Sequence, residues 1–277
     1  MKKQVFLPNR MNLSSLSNYR EAVSMGINPL QVVALKMGEL YVDKSTLTYA
    51  KDFGKMITIP IWAAAIIGAE AKIVVDTGIH DRNWVNEHVD PCQQQEDEKM
   101  AVALKKATGW DPEEVDIVIN THLHYDHVGN NRIFKNAVFY VQQLEWEYAF
   151  HPLKSQEWIY NDTRFLYDQR GVDFFAWRFV NGYADVVPGV KLIPTPGHTP
   201  GHQSVLVKTA EGVVCVSGDV VNLVENINED RPVGIVTDVG ANFESFARIR
   251  QYADYILAGH DPEIQKFQRE HFPAIKK

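Results

Sequence analysis

Short apolar runs rich in β-branched residues dominate the hydrophobic pattern of the chain. Each run is bounded by Gly, Pro, Asn or Asp, which is typical of strands that end in turns. The strands predicted in this way cover residues 32–42, 57–67, 72–76, 115–119, 137–141, 186–193, 203–207, 212–217 and 255–260. Helical patterns cover residues 98–107, 144–150 and 243–255. The pattern therefore predicts one α+β domain over residues 1–277, with two strand-rich halves that each carry helices.

Two segments depart from this pattern. Residues 1–31 are weakly patterned, and we expect an N-terminal extension there. Residues 151–183 form an insertion that is dense in Trp, Tyr and Phe within irregular, partly charged sequence. This composition fits a satellite core, a lid or wall over an apolar substrate, or a dimer contact, and the sequence does not choose between them.

Composition and charge narrow the class of protein. The 277 residues are 45% hydrophobic and carry a formal charge of −7, and they include no Lys/Arg-rich stripe. This disfavours a nucleic-acid partner. The N-terminus lacks the apolar stretch of a secretory signal, and the longest apolar run contains Pro60 and is too short to span a bilayer. We therefore expect a cytoplasmic protein without a membrane partner.

The densest group of chemically active side chains lies in residues 119–129. His122, His124, Asp126 and His127 directly follow the predicted strand 115–119. In an extended segment alternate side chains point the same way, so the first three can converge, and a turn can bring the fourth to them. Neutral imidazole and carboxylate are the usual ligands of zinc and related ions, so this segment predicts a metal site.

Three more ligand-type residues stand beside glycines at strand ends. His198 lies in the segment Thr-Pro-Gly-His-Thr-Pro-Gly-His, Asp219 follows Ser-Gly, and His260 follows Ala-Gly. Together with residues 122–127 they provide five histidines and two aspartates. One tetrahedral zinc cannot use so many ligands, whereas two ions can.

The His-x-His-x-Asp-His motif at 122–127, followed by a later His, Asp and His, resembles the metallo-β-lactamase superfamily over roughly residues 32–265. The resemblance implies a four-layer αβ/βα sandwich with two metal ions at one edge, between the sheets. It also implies two sets of ligands joined by a bridging Asp219: His122, His124 and His198 for one ion, and Asp126, His127 and His260 for the other.

Finer features point to a subfamily. Asp219 stands where class B β-lactamases typically have cysteine, which is similar to glyoxalase II and the N-acyl-homoserine lactone lactonases. Residues 59–62, 75–78, 187–190 and 195–204 resemble the quorum-quenching lactonases in particular. Those enzymes usually carry tyrosine three residues after the bridging aspartate, and this chain has Asn222 instead.

The resemblance implies a dinuclear hydrolase that opens a lactone ring, such as that of an N-acyl-homoserine lactone. Zinc is the expected ion, with manganese, iron or cobalt as alternatives. Two such ions share a bridging water and lower its pKa to about 7, which supplies hydroxide. Asp126 is expected to carry a proton to the leaving oxygen, and Asn222 to stabilise the oxyanion. The expected partner is a small lactone, and a homodimer is possible.

Several alternatives stay open at this point. A thioesterase resembling glyoxalase II uses the same kind of ligand set, and an iron-dependent oxidoreductase of the same superfamily is an alternative of another class. Asp76 is interpreted as a partner of the metal ligands, and His202 as either such a partner or a turn residue. Substrate choice is expected to depend on Asn222, the wall near Trp62 and residues 151–183.

Overall fold

The computed structural model describes residues 30–160, 176–267 and 272–275. In these ranges the strands form two sheets. The first sheet contains β1 (Gln31–Asp43), β2 (Met56–Ile67), β3 (Ile73–Val75), β4 (Cys92–Gln93), β5 (Ile117–Ile119), β6 (Val138–Gln142) and β7 (Ala176–Val180). Its spatial order is β4-β1-β2-β3-β5-β6-β7. The second sheet contains β8 (Ala184–Val187), β9 (Val190–Pro194), β10 (Gln203–Lys208), β11 (Val213–Gly218) and β12 (Tyr255–Ala258) in the order β12-β11-β10-β9-β8.

Helices flank both sheets. They are α1 (Arg82–His88), α2 (Met100–Thr108), α3 (Tyr125–Val128), α4 (Gln143–Phe150), α5 (Glu157–Tyr160), α6 (Val224–Asn228) and α7 (Val239–Tyr252). Short 3₁₀ turns cover Lys44–Thr46, Glu96–Glu98, Pro112–Glu114, Asn131–Ile133 and Pro262–Phe267. No helix in the described part of the chain is both long enough and apolar enough to cross a membrane.

Side-chain alternation along the strands builds three apolar layers. In β10, Val205 and Val207 lie in the core between the two sheets, whereas Leu206 packs on the opposite face with Phe246 and Ile249 of α7. The outer face of the first sheet packs in the same way against α2. Two sheets with a helical layer on each outer face form the predicted four-layer αβ/βα sandwich, which is thereby confirmed.

Parallel pairing brings the candidate residues to one edge. β3 pairs in parallel with β5, and β11 pairs in parallel with β12. The carboxyl ends of parallel strands lie on the same side of a sheet, so Asp76, residues 120–127, Asp219 and His260 leave their strands close together. Both sheets therefore supply side chains to the same edge of the sandwich.

Most predicted elements are present, and one local prediction is wrong. Residues 186–193 were expected to form one strand, but β8 and β9 form a hairpin that turns at Gly189, whose φ is +87°. A positive φ is accessible to glycine at little cost, which allows this tight reversal. α1 is a helix that the predicted elements do not include, and the Asp81 carboxylate caps it by accepting hydrogen bonds from the backbone N–H groups of Asn83 and Trp84.

The aromatic-rich insertion divides into two parts where it is described. Trp177 and Phe179 of β7 pack against Trp146, with ring centroids 5.0 Å and 5.3 Å apart, which makes a satellite core. Trp158 and Ile159 of α5 line the candidate site instead. Residues 161–175 of the insertion and residues 1–29 of the predicted N-terminal extension lie outside the described residues, so the single-domain organisation stays a prediction.

Candidate metal centre

Three imidazoles converge in the loops after β5 and β9. We call His122, His124 and His198 the first ligand group. His124 Nδ1 lies 2.9 Å from His122 Nε2 and 3.0 Å from His198 Nε2. One ring nitrogen carries a single lone pair or hydrogen, so it cannot serve both neighbours by good hydrogen bonds. Nitrogens about 3.3 Å apart would be expected around a tetrahedral zinc, and the observed spacing is close to that value.

Outer hydrogen bonds orient two of these rings. Thr121 Oγ1 donates to Asp76 Oδ2 at 2.8 Å, so its oxygen accepts from Nδ1–H of His122 at 3.0 Å. Nδ1–H of His198 donates to the carbonyl of Ile235 at 2.7 Å. In both rings the Nε2 lone pair is therefore left for the centre of the group. Burial also lowers the pKa of all three imidazoles and favours the neutral, ligating form.

Asp126, His127 and His260 form the second ligand group. Asp126 Oδ2 lies 3.7 Å from His127 Nε2 and 3.6 Å from His260 Nε2. Nδ1–H of His127 donates to the Asp76 carboxylate at 2.8 Å, and Nδ1–H of His260 donates to the carbonyl of Pro60 at 2.8 Å. Both rings thus present Nε2 inwards. Burial lowers their pKa values, but the facing carboxylates, Asp219 foremost, outweigh burial and raise both.

Asp219 lies between the two groups. Its Oδ1 is 3.1 Å from His127 Nε2, and its Oδ2 is 3.2 Å from His260 Nε2 and 3.6 Å from His198 Nε2. Burial raises the pKa of this carboxyl, but His260 and His127 outweigh burial and hold the pKa well below its ordinary value. Asp219 is thus an ionised carboxylate in contact with both groups, as a bridging ligand must be.

The backbone around Asp219 is closely packed. Its N–H donates to His202 Nε2 at 3.1 Å, and the other ring nitrogen of His202 contacts Thr195 Oγ1 at 2.9 Å. His202 therefore holds the aspartate rather than merely ending a turn. A Cβ at Gly218, whose φ is +56°, would lie 2.7 Å from Thr121, and a Cβ at Gly259 would overlap the Asp219 carboxylate. Glycine beside each ligand thus has a steric cause.

Asp76 connects the second group to the β5 loop. Besides its contact with His127, its carboxylate accepts hydrogen bonds from the backbone N–H and the hydroxyl of Thr121, both at 2.8 Å. The backbone φ of Asp76 is +58°, a left-handed conformation that residues other than glycine rarely adopt. Such a conformation persists where its surroundings enforce it, which is common at functional sites.

The chemistry of the donor set fits two metal ions. All seven predicted ligands are buried, and the ligand atoms of His122, His124, His198 and Asp219 lie within 4.8 Å of one another, as do those of the second group. Within the described residues, the buried atoms His127 Nε2 and Asp219 Oδ1 make no hydrogen bond of acceptable geometry although they are close. A cation that contacts both atoms would satisfy these two buried polar groups.

A cavity of about 320 Å³ opens onto both groups. Asn222 lines it, is 2% exposed, and its Oδ1 has no hydrogen-bond partner among the described residues. One wall of the cavity is apolar and includes Leu40, Val42, Leu47, Ile59, Ile159 and Ile235. Trp62 is not among the described residues that line it, because this ring is buried in the core, where its Nε1–H donates to the carbonyl of Asp261 at 2.9 Å. Ile59, three residues before Trp62, does line the cavity, so the expectation that the wall near Trp62 affects substrate choice stays a prediction.

One buried carboxylate that lies close to the first ligand group could not be identified as a site residue from the sequence. Glu145 of α4 is fully buried and accepts hydrogen bonds from Tyr160 and Thr199. Burial raises the pKa of Glu145, and its hydrogen-bond donors oppose that shift. Glu147, two residues later, is exposed. No local pattern separates the two glutamates, so only the fold reveals which of them is buried.

Comparisons with known proteins agree with the fold. The model of the metallo-β-lactamase superfamily matches residues 58–260, and the chain belongs to this superfamily. The N-acyl homoserine lactonase AiiA of Bacillus thuringiensis subsp. kurstaki is 30% identical over 244 residues, which covers 83% of this chain and 92% of that protein. The N-acyl homoserine lactonase AttM of Rhizobium radiobacter is 34% identical over 171 residues, or 57% of this chain and 62% of that protein.

Solved structures show the same relationship. An N-acyl homoserine lactone hydrolase with the product N-hexanoyl-L-homoserine bound at its catalytic metal centre aligns with a TM-score of 0.72 and 27% identity, over 87% of this chain and 96% of that one. The dizinc quorum-quenching lactonase AidC aligns with a TM-score of 0.63 at 16% identity, over 85% of this chain and 89% of that one, which supports the fold alone.

Proposed function

We propose that this protein is a two-metal hydrolase that opens the ring of N-acyl homoserine lactones or related lactones. The observation that carries the proposal is a cavity whose lining includes residues of both ligand groups and a set of apolar side chains. Similarity to N-acyl homoserine lactonases over most of the chain supports the same reaction. The polar face suits a lactone carbonyl, and the apolar wall suits an acyl chain.

The proposed ligands are the seven residues described above, with zinc as the preferred ion. The first ligand group would hold one ion, the second ligand group would hold the other, and Asp219, which contacts both groups, would contribute to both positions. When bound, two divalent ions activate water for attack at neutral pH and polarise the carbonyl of the substrate. The four imidazoles with outer hydrogen bonds need no reorientation, because their tautomers already present Nε2.

Asp126 and Asn222 are the proposed catalytic side chains. Asp126 lines the cavity and can receive a proton on the carboxylate and release it to the leaving alkoxide. Asn222 lies where lactonases carry tyrosine, and its amide N–H can donate to the carbonyl oxygen as negative charge develops there. Burial of both groups strengthens these interactions, since little water competes with them.

Side-by-side hydrolysis assays test this function. The metal-loaded protein would receive N-hexanoyl-homoserine lactone or an S-acyl glutathione thioester, with proton release and thiol release as readouts. Lactone opening that is lost with a chelator and restored by zinc supports the proposal. Cleavage of the thioester alone would favour a glyoxalase II-like thioesterase. Bound iron with flavin-linked or persulfide activity would replace hydrolysis by an oxidoreductase function.

A further inference from the structure

Glu145 lies outside both ligand groups but is connected to the first. Its Oε1 accepts from the backbone N–H of Leu123 at 3.1 Å and from the hydroxyl of Tyr160 at 2.7 Å. Its Oε2 accepts from Thr199 Oγ1 at 2.6 Å, and the backbone N–H of Gly201 is a further donor. A carboxylate that is fully buried yet has donors on both oxygens is a specific arrangement, because an unpaired buried charge is very costly.

The donors to Glu145 come from the segments that carry the first ligand group. Leu123 lies between the two histidines of the β5 loop, and Thr199 directly follows His198. These segments are far apart in sequence and come from different sheets. Since Glu145 bonds to both, it fixes the distance between the β5 loop and the β9–β10 loop at the level of the ligands.

Two further contacts strengthen this connection. A Cβ at Gly201 would collide with the backbone of Glu145, so the β9–β10 loop rests directly on α4. The ring of Tyr160 packs edge-on against His124, with centroids 4.5 Å apart and an interplanar angle of 75°. Tyr160 thus bonds to the carboxylate through its hydroxyl and supports a first-group ring through its own ring.

We propose that Glu145 is a positioning residue for the first metal position: by joining the two ligand-bearing loops, it holds three imidazoles at the spacing that binds an ion. The inference rests on the proposed metal centre but not on the substrate. Its test is therefore metal binding, which can succeed even if lactone hydrolysis fails. Residues that orient ligands typically contribute 10- to 100-fold to metal affinity, so a measurable effect is expected.

The test is a chelator titration of the zinc-loaded full chain, with counting of the ions that remain bound. We expect Glu145→Gln to weaken the first position by roughly 10- to 100-fold and to leave the second within about threefold. The His260→Ala background, which lacks a second-group ligand, identifies the ion held by the first group. Glu147→Gln makes the same chemical change on the exposed side of α4, so it should release zinc as the unmodified chain does.

Three results would overturn the proposal. The first is an unchanged release curve for folded Glu145→Gln. The second is equal weakening of both positions, which would indicate a general loosening of the fold. If circular dichroism shows that Glu145→Gln does not fold, Tyr160→Phe decides, because it removes one donor and keeps the ring against His124. That variant should weaken the first position several-fold, and wild-type binding there is the third contrary result.

Discussion

The two ligand groups lie side by side, but the pKa values of their histidines are shifted in opposite directions. The first consists of imidazoles alone, and burial lowers the pKa of each, so they bind as neutral donors. In the second, burial also lowers the pKa of both histidines, but nearby carboxylates outweigh burial and raise it. The three imidazoles of the first position carry no charge, and its remaining proposed ligand, Asp219, is shared with the second position, so binding at the first position depends mainly on geometry. The second depends mainly on negative charge, which attracts a cation.

This difference assigns the outer residues to different tasks. Glu145 spans the loops of the first group, where accurate spacing is required. Asp76 places a second carboxylate behind His127, where added charge increases the basicity of a ligand. Substitutions that separate geometry from charge should therefore affect the two positions unequally.

The largest effect is expected from Asp126→Asn, which removes the charge of the second group and the proposed proton carrier. Turnover of a homoserine lactone should fall by about 10³-fold, the usual scale for a lost acid–base group. Steady-state kinetics on the zinc-loaded variant measures this. Asp90→Asn is a matched control in the same cavity and should keep most of the activity. Full activity of Asp126→Asn would exclude both of its proposed roles.

A smaller and selective effect is expected from Asp76→Asn. This substitution removes the negative charge behind His127. It should weaken zinc binding at the second position by roughly 10- to 100-fold and leave zinc binding at the first position nearly unchanged. Chelator titration with elemental analysis measures this effect. Asp116→Asn is the control, since Asp116 also accepts a backbone N–H but is exposed. Loss of the first ion before the second would contradict the assignment of the groups.

Asn222→Tyr tests whether residue 222 contacts the substrate in the cavity, rather than how tightly either metal position binds its ion. A tyrosine hydroxyl there should shift the ratio of kcat/KM values towards acyl-homoserine lactones by about tenfold, the scale of one hydrogen bond. Kinetics with homoserine lactones and simple γ-lactones measures the ratio, and Asn222→Ala shows the effect of losing the amide alone. An unchanged profile for both variants would mean that Asn222 does not contact the substrate.

The smallest effect is expected from Cys92→Ser. Burial raises the pKa of the Cys92 thiol to about 12, so it is not ionised at neutral pH, and turnover should stay within about twofold. Cys215 has the same thiol pKa for the same reason and is a second test. A large loss of kcat in a folded Cys92→Ser variant would point to thiol chemistry and make the comparison of metal positions irrelevant to catalysis.

The sequence was sufficient to locate the candidate ligands because each stands where an apolar strand stops, often beside a glycine. Gly218 and Gly259 show why this signal is physical, since a side chain at either would occupy the space of a neighbouring site residue. Strand alternation alone, however, would have placed Asp126 with His122 and His124. The chain turns into α3 at Tyr125, which directs Asp126 to the second group instead.

Other features depend on tertiary contacts and could not be read from the sequence. Glu145 and Glu147 share a helix and a residue type, and only the approach of Thr199 and Tyr160 distinguishes them. The role of the aromatic insertion at residues 151–183 was equally undecided from the sequence. In the structure Trp158 lines the cavity, whereas Trp177 packs into a satellite core. In each case the deciding neighbour is remote in sequence.

The assembly of the site from the ends of strands in both sheets has a consequence for how the protein matures. The ligands lie between residues 122 and 260, so about half of the chain must close into its native topology before they meet. Such long-range closure is slow relative to local folding, and a fragment that holds only the His-x-His-x-Asp-His motif would bind an ion weakly. Metal loading should therefore be a late event, and the free energy of unfolding should rise with the logarithm of the free metal concentration.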